Sequence, residues 1–162
     1  MSDQQKATRR RESIVVENDL PDSPERVWRA LTDPSLLEAW LMPNNIRAEV
    51  GARFQFRTAP APGWSIVDCE VLEVVPHRLL VYSWRSGSKA IEGGADLDTV
   101  VTWRLTPLEN GGTRLYFEHS GFDPDSAMFK AMGQGWKGKI SEKIRRVLAA
   151  QSGGDLFRVR NE

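Results

Sequence analysis

Cysteine occurs once, at Cys69, and histidine only twice, at His77 and His119. A single cysteine excludes an intrachain disulfide framework. Two histidines 42 positions apart and one cysteine match no familiar metal-ligand spacing, so neither a metal nor another cofactor is expected. An excess of one charge sign is also missing, because 22 Lys and Arg balance 22 Asp and Glu. No global basic field exists to draw nucleic acid or an anionic membrane. The local run Arg9-Arg10-Arg11 is expected to be a solvated tail. No apolar run approaches the roughly 20 residues of a membrane span. The opening MSDQQKATRRRES carries no apolar stretch like that of a signal peptide, and a cytoplasmic protein is the expectation.

What is present suits one globular domain: 162 residues, 40% apolar and 27% charged. Residues 1–11 read as a loose tail, 12–150 as the domain and 151–162 as a second tail. ESIVVEND is β-branched and predicts a strand. In SPERVWRALTDPSLLEAWL, Ser23 caps and Pro24 opens one helix, and Asp33 and Pro34 repeat the same logic for a second. Six strand-like segments follow: NIRAEV, RFQFRT, SIVDCEVLEVV, RLLVYSW, LDTVVTWRLTPL and TRLYFEHS. Their period-2 alternation predicts an antiparallel sheet with one covered and one wet face. Asp68, Glu70 and Glu118 fall on the wet side. Phe129, Met132, Trp136, Ile140, Ile144 and Leu148 form one stripe of a long final helix, which Ser152-Gly153-Gly154 is expected to end.

The stretch GQGWKG, Gly133 to Gly138, fits the spacing of a dinucleotide-binding loop. That loop requires a preceding strand and a parallel βαβ unit. Here the match lies inside an amphipathic helix after antiparallel strands, so the nucleotide reading fails on context. Two readings of the glycines stay open: close packing of the helix, or a soft segment that lids a cavity.

One strand, two helices, six strands and one long helix is a helix-grip arrangement of the α+β class. SPERVWRALTDPSLLEAWL, the V-G-x-x-F-x-F run from Val50 to Phe56, VPHRLLVYSW, VVTWRLTPLENGGTRLYFEHSGF and the late GW together resemble the START-like (SRPBCC, Bet v-like) superfamily. The resemblance covers roughly residues 12–150. Within it, the chain looks most like homologues of the C-terminal domain of the heat-shock-protein ATPase activator. The resemblance implies a curved seven-stranded antiparallel sheet gripping the last helix, with an apolar cavity between them that holds a small hydrophobic molecule. The eukaryotic co-chaperone carries a separate N-terminal domain that is not seen here, which counts against a chaperone partner. A monomer or a homodimer fits equally well.

The covered face would line that cavity with Phe54 and Phe56, Val67 and Cys69, Tyr82 and Trp84, Val101 and Trp103, and Phe117 and His119. The last helix would add Phe129, Met132 and Trp136, and the short helices Trp40. A solid core without room for a ligand is the competing reading. His119 points inward and would hydrogen-bond a ligand, act as a general acid or base, or be satisfied by a backbone carbonyl, the favoured reading. His77, in a turn, is expected to be solvated. Cys69 needs a base to act as a nucleophile. In the family's usual strand order, two strands separate it from His119, so it is expected to pack as a small hydrophobe. The loop SGSKAIEGGADLD, with Glu92, Asp96 and Asp98, would be an ordinary hairpin loop or a flap over the cavity mouth. No two carboxylates are forced together by spacing. Three functions remain: a carrier of a hydrophobic molecule (favoured), a cyclase- or aromatase-type enzyme using His119 or Tyr82, and a protein-interaction domain.

Overall fold

The computed structural model describes residues 12–57, 66–86, 97–122 and 140–161, with side chains to residue 150 in the last segment. Strand β1 is Glu12–Leu20, followed by helices α1 (Pro24–Thr32) and α2 (Pro34–Trp40). Strands β2 (Arg53–Arg57), β3 (Ile66–Val75), β4 (Leu79–Ser86), β5 (Leu97–Pro107) and β6 (Thr113–Phe122) follow, and helix α3 spans Ile140–Asn161.

The helix boundary at Asp33 is where its chemistry places it. Asp33 is extended and its carboxylate accepts from the Ser35 N–H at 2.9 Å and the Leu36 N–H at 3.4 Å. Ser23 does the same for Arg26 at 3.3 Å. A proline follows each cap, where its missing N–H costs nothing.

All described strands form one antiparallel sheet in the order β1-β6-β5-β4-β3-β2. It has six strands among the described residues, not seven, because NIRAEV does not form a strand. Backbone pairing with β2 is confined to one bridge there, and side-chain amides take up neighbouring backbone N–H groups. Asn45 Oδ1 accepts from the Gln55 N–H at 2.8 Å, Asn44 Oδ1 accepts from the Ile46 N–H at 3.1 Å, and Asn44 makes one isolated bridge to Phe56. Asparagine amides mimic backbone groups and compete with ladder formation. The segment still blocks the outer edge of β2 and buries Ile46.

Helix α3 also departs from expectation, since it continues through Ser152-Gly153-Gly154 to Asn161. A glycine costs a helix about 1 kcal/mol and need not stop it, and no proline follows to force an end. The start expected near Asp123 and the GQGWKG stretch lie outside the described residues. Ile140, Ile144 and Leu148 do form a buried stripe. Helix α3 packs on α1, α2 and β1. Arg26 reaches from α1 to donate to the Leu148 carbonyl at 2.6 Å.

The core lies on one face of the sheet. It joins Val27, Trp28 and Leu31 of α1 and Leu37 and Trp40 of α2 to the alternating inner residues of every strand. Trp40 donates its indole N–H to the Ala30 carbonyl at 2.9 Å and meets Trp103 edge-on at 6.0 Å. His77 is half-buried instead of solvated: its backbone is left-handed (φ 67°), and its ring stands edge-on to Trp28 at 6.1 Å.

Candidate functional site

Eleven of the fourteen sequence-predicted lining residues fall within the described residues, and all eleven are buried: Trp40, Phe54, Phe56, Val67, Cys69, Tyr82, Trp84, Val101, Trp103, Phe117 and His119. Phe129, Met132 and Trp136 lie outside the described residues, as do Glu92 and Asp96. Register explains the clustering. Tyr82 faces Val101 and Val101 faces His119, while Leu80 faces Trp103 and Trp103 faces Phe117, so each set forms a row across β4, β5 and β6. Ring contacts run through these rows, with Phe54 to Tyr82 at 5.1 Å, Phe56 to Trp84 at 5.2 Å and Trp103 to Phe117 at 4.5 Å.

His119 sits inside this aromatic surface, fully buried. Its Nε2 is 2.7 Å from Thr99 Oγ1, and that hydroxyl donates to the Trp84 carbonyl at 2.9 Å. A threonine hydroxyl has one proton, already given to Trp84. Nε2 therefore carries the imidazole proton, and Nδ1 is the acceptor nitrogen. Burial drives the His119 pKa down to about 3, so the ring is neutral near pH 7. The Nε2 partner is a side-chain hydroxyl, where a backbone carbonyl was expected. Thr99 occupies the same alternating face as Val101 and Trp103, so extending that pattern two residues back would have found it.

Phe122 was not foreseen either. Gly121 is left-handed (φ 102°) and marks a bulge where β1 and β6 shift register between Glu12 and Ser13. The extra residue turns Phe122 onto the inner face, 4.6 Å from the His119 ring. A glycine inside a strand pattern is the signal for such a bulge.

A second buried polar pair lies one row away. Trp103 donates its indole N–H to the Tyr82 hydroxyl at 3.1 Å. Burial pushes the Tyr82 phenol far above its ordinary value, and burial also raises the Cys69 thiol, aided by the Asp68 charge. Cys69 on β3 is separated from His119 on β6 by β4 and β5. A Cys–His dyad is thus absent, and Cys69 packs as a small apolar group. No cluster of metal-ligating side chains occurs among the described residues.

The outer face has another character. Asp68 accepts from the Gln55 amide at 2.8 Å, Glu118 from the Tyr116 hydroxyl at 2.9 Å, and Asp98 pairs with Arg85 at 3.2 Å. An open concavity of about 580 Å³ lies over β2, β3 and β4 on this side, floored by Gln55, Asp68, Ser83 and Arg85 among others. Its polar lining is unlike the apolar cavity expected between sheet and helix.

A six-stranded antiparallel sheet with two short helices and one long terminal helix packed on a single face defines a helix-grip protein. The chain belongs to the Activator of Hsp90 ATPase homolog 1-like protein family, whose model matches residues 22–149. Among solved structures, protein MLL2253 from Mesorhizobium loti is 38% identical over 86% of this chain and 98% of its own, with a TM-score of 0.76. Protein BH1534 from Bacillus halodurans is 25% identical over 86% of this chain and 99% of its own, with a TM-score of 0.66. The Aha1 dimer from Colwellia psychrerythraea shares the fold at 21% identity, over 77% of this chain and 87% of its own, with a TM-score of 0.62. No curated protein matches the chain. No described helix is long and apolar enough to cross a membrane.

Proposed function

We propose that the protein binds a small, largely apolar molecule bearing an acceptor oxygen on the inner face of the sheet, and that it does so without chemical turnover. Tyr82 carries this reading. Its buried hydroxyl accepts from Trp103, yet its own proton reaches no acceptor among the described residues. A buried unsatisfied donor costs about 1–3 kcal/mol. A ligand carbonyl or hydroxyl oxygen would recover that cost, and the surrounding rings would supply apolar contact with little loss of side-chain entropy.

Titration behaviour favours binding over catalysis. An acid–base catalyst works best with a pKa near ambient pH. His119 is held at about 3, and the Tyr82 and Cys69 groups are pushed far above their ordinary ranges. None of them exchanges a proton readily at pH 7.

Native mass spectrometry of freshly purified protein, compared with the denatured mass, is the direct test. A stoichiometric excess that vanishes on denaturation gives the ligand's mass. Replacing Tyr82→Phe should then weaken its binding about tenfold, the effect of roughly 1.4 kcal/mol. A bare mass, together with no calorimetric binding to a panel of aromatic ketones and sterol-like alcohols, would remove this reading.

A further inference from the structure

The ladder between β3 and β4 is interrupted. Asp68 faces Arg85 and Val71 faces Tyr82, but no ladder pair joins Cys69 or Glu70 to β4. In that gap the Glu70 N–H donates to the Ser83 hydroxyl oxygen at 2.9 Å. The hydroxyl's own proton reaches no acceptor among the described residues, although Ser83 is only 7% exposed. Ser83 lines the open concavity of about 580 Å³ on the outer face, together with Arg85 on β4, Asp68 and Glu70 on β3, Arg53 and Gln55 on β2, and Asn45. A buried donor without an acceptor, at the wall of a cavity, is a place for a ligand's oxygen.

The polar groups around it are sorted by strand. The donors Ser83 and Arg85 stand two residues apart on β4, and the acceptors Asp68 and Glu70 two residues apart on β3. These rows are one strand spacing apart, about 4.8 Å. Each charged group keeps capacity beyond its internal contact. Arg85 uses Nε on Asp98 at 3.2 Å, which leaves both of its Nη groups. Asp68 uses Oδ1 on the Gln55 amide at 2.8 Å, which leaves Oδ2. Glu70 and Arg53 stand 4.0 Å apart, too far for a hydrogen bond. Two guanidinium groups and two carboxylates give the lining no net charge, so a lone anion or cation meets repulsion as well as attraction.

We propose that this concavity binds a free α-amino acid as its zwitterion. The ligand carboxylate accepts from the Ser83 hydroxyl and Arg85, and the ligand ammonium donates to Asp68 and Glu70. An α-amino acid carries both charges on one carbon, which suits two rows of opposite polarity a single strand spacing apart. Its side chain lies over β2, where Arg53 and the Asn45 and Gln55 amides favour a polar one. The site is on the opposite face from the apolar one and does not depend on it. Exposed charges contribute little each, so the dissociation constant is expected at about 1 mM.

Amide-resolved proton–nitrogen NMR on the full chain, titrated with L-glutamine to several tens of millimolar, tests this. Saturable shifts should appear at the amides of residues 68–70 and 83–85. N-acetyl-L-glutamine, which lacks the ammonium, and L-glutamine amide, which lacks the carboxylate, should each bind at least about tenfold more weakly. Asp68→Asn and Arg85→Gln should each weaken L-glutamine about fivefold, with spectra elsewhere unchanged to show that the fold persists. Ser83→Ala should weaken it about tenfold. If losing the Glu70 contact unfolds that variant, the other two decide. No saturable shift with L-glutamine, shifts confined to other residues, or binding insensitive to Asp68→Asn and Arg85→Gln would overturn the proposal. So would equal binding of either capped form, which would leave a general anion or cation site.

Discussion

The two faces of the sheet solve the same problem, how to satisfy polar groups, by opposite means. On the inner face, neutral partners are locked across strands: His119 to Thr99, Thr99 to the Trp84 carbonyl, Trp103 to Tyr82. On the outer face, charged groups pair in water: Arg114 with Asp19 at 2.8 Å and Arg85 with Asp98 at 3.2 Å. Both sets are close in distance and differ in what replaces them when broken. Water substitutes at once for an exposed partner and has no ready access to a buried one. Geometry alone therefore ranks these bonds wrongly, and burial ranks them correctly.

The largest test of this contrast is Trp103→Ala. It removes a fully buried ring packed on Trp40 and Phe117 and deprives the Tyr82 hydroxyl of its donor. Chemical denaturation should show a loss of about 3–5 kcal/mol. Thr99→Val keeps shape and removes one hydroxyl, leaving the His119 Nε2 proton and the Trp84 carbonyl without it. The expected cost in the same assay is about 2 kcal/mol.

pH separates the faces in another way. His119 has its folded pKa lowered from 6.5 to about 3, so between these values the unfolded chain binds the extra proton. Its contribution is complete above pH 6.5 and is lost as pH falls toward 3, at about 1.4 kcal/mol per pH unit in mid-window. His119→Gln should flatten that part of the stability–pH profile relative to wild type. An unchanged profile would mean that the ring is not buried neutral.

The smallest effect belongs to the outer face. Arg114→Ala removes a two-pronged contact to Asp19, at 2.8 and 3.2 Å, in which both side chains are about half exposed. Its melting temperature should stay within experimental error of wild type at physiological salt. A clear drop would show that exposed pairs on this sheet are organised as a network.

Much of this architecture is legible because alternation is a physical consequence of the pleat. RLLVYSW and TRLYFEHS separate inner from outer residues without reference to the rest of the chain, and Ser23-Pro24 and Asp33-Pro34 mark their helices locally. Errors arise where a side chain takes over a backbone role. NIRAEV has strand-like composition, but the amides of Asn44 and Asn45 accept from backbone N–H groups and pairing stops at one bridge. Conversely, Gly153-Gly154 reads as a stop, yet α3 continues through it. The candidate site is legible as a set of inward residues and not as a network. Which hydroxyl meets His119 depends on the β4–β5 and β5–β6 registers, and those are set by pairings between strands, not by any one strand.

One pairing has a consequence for how the molecule is made. Strand β1 has β6 as its partner, roughly 100 positions later in the chain. A ribosome adding about 5–20 residues per second reaches that partner some 5–20 s after β1 is synthesised. Throughout that interval β1, with Ile14 and Leu20 destined for the core, has neither its neighbour nor the last helix to cover it. The nascent chain can complete β2 to β5 as a meander while its first strand waits. Sheet closure is therefore a late event in biosynthesis, and β1 is the segment that a chaperone or a neighbouring nascent chain would meet first.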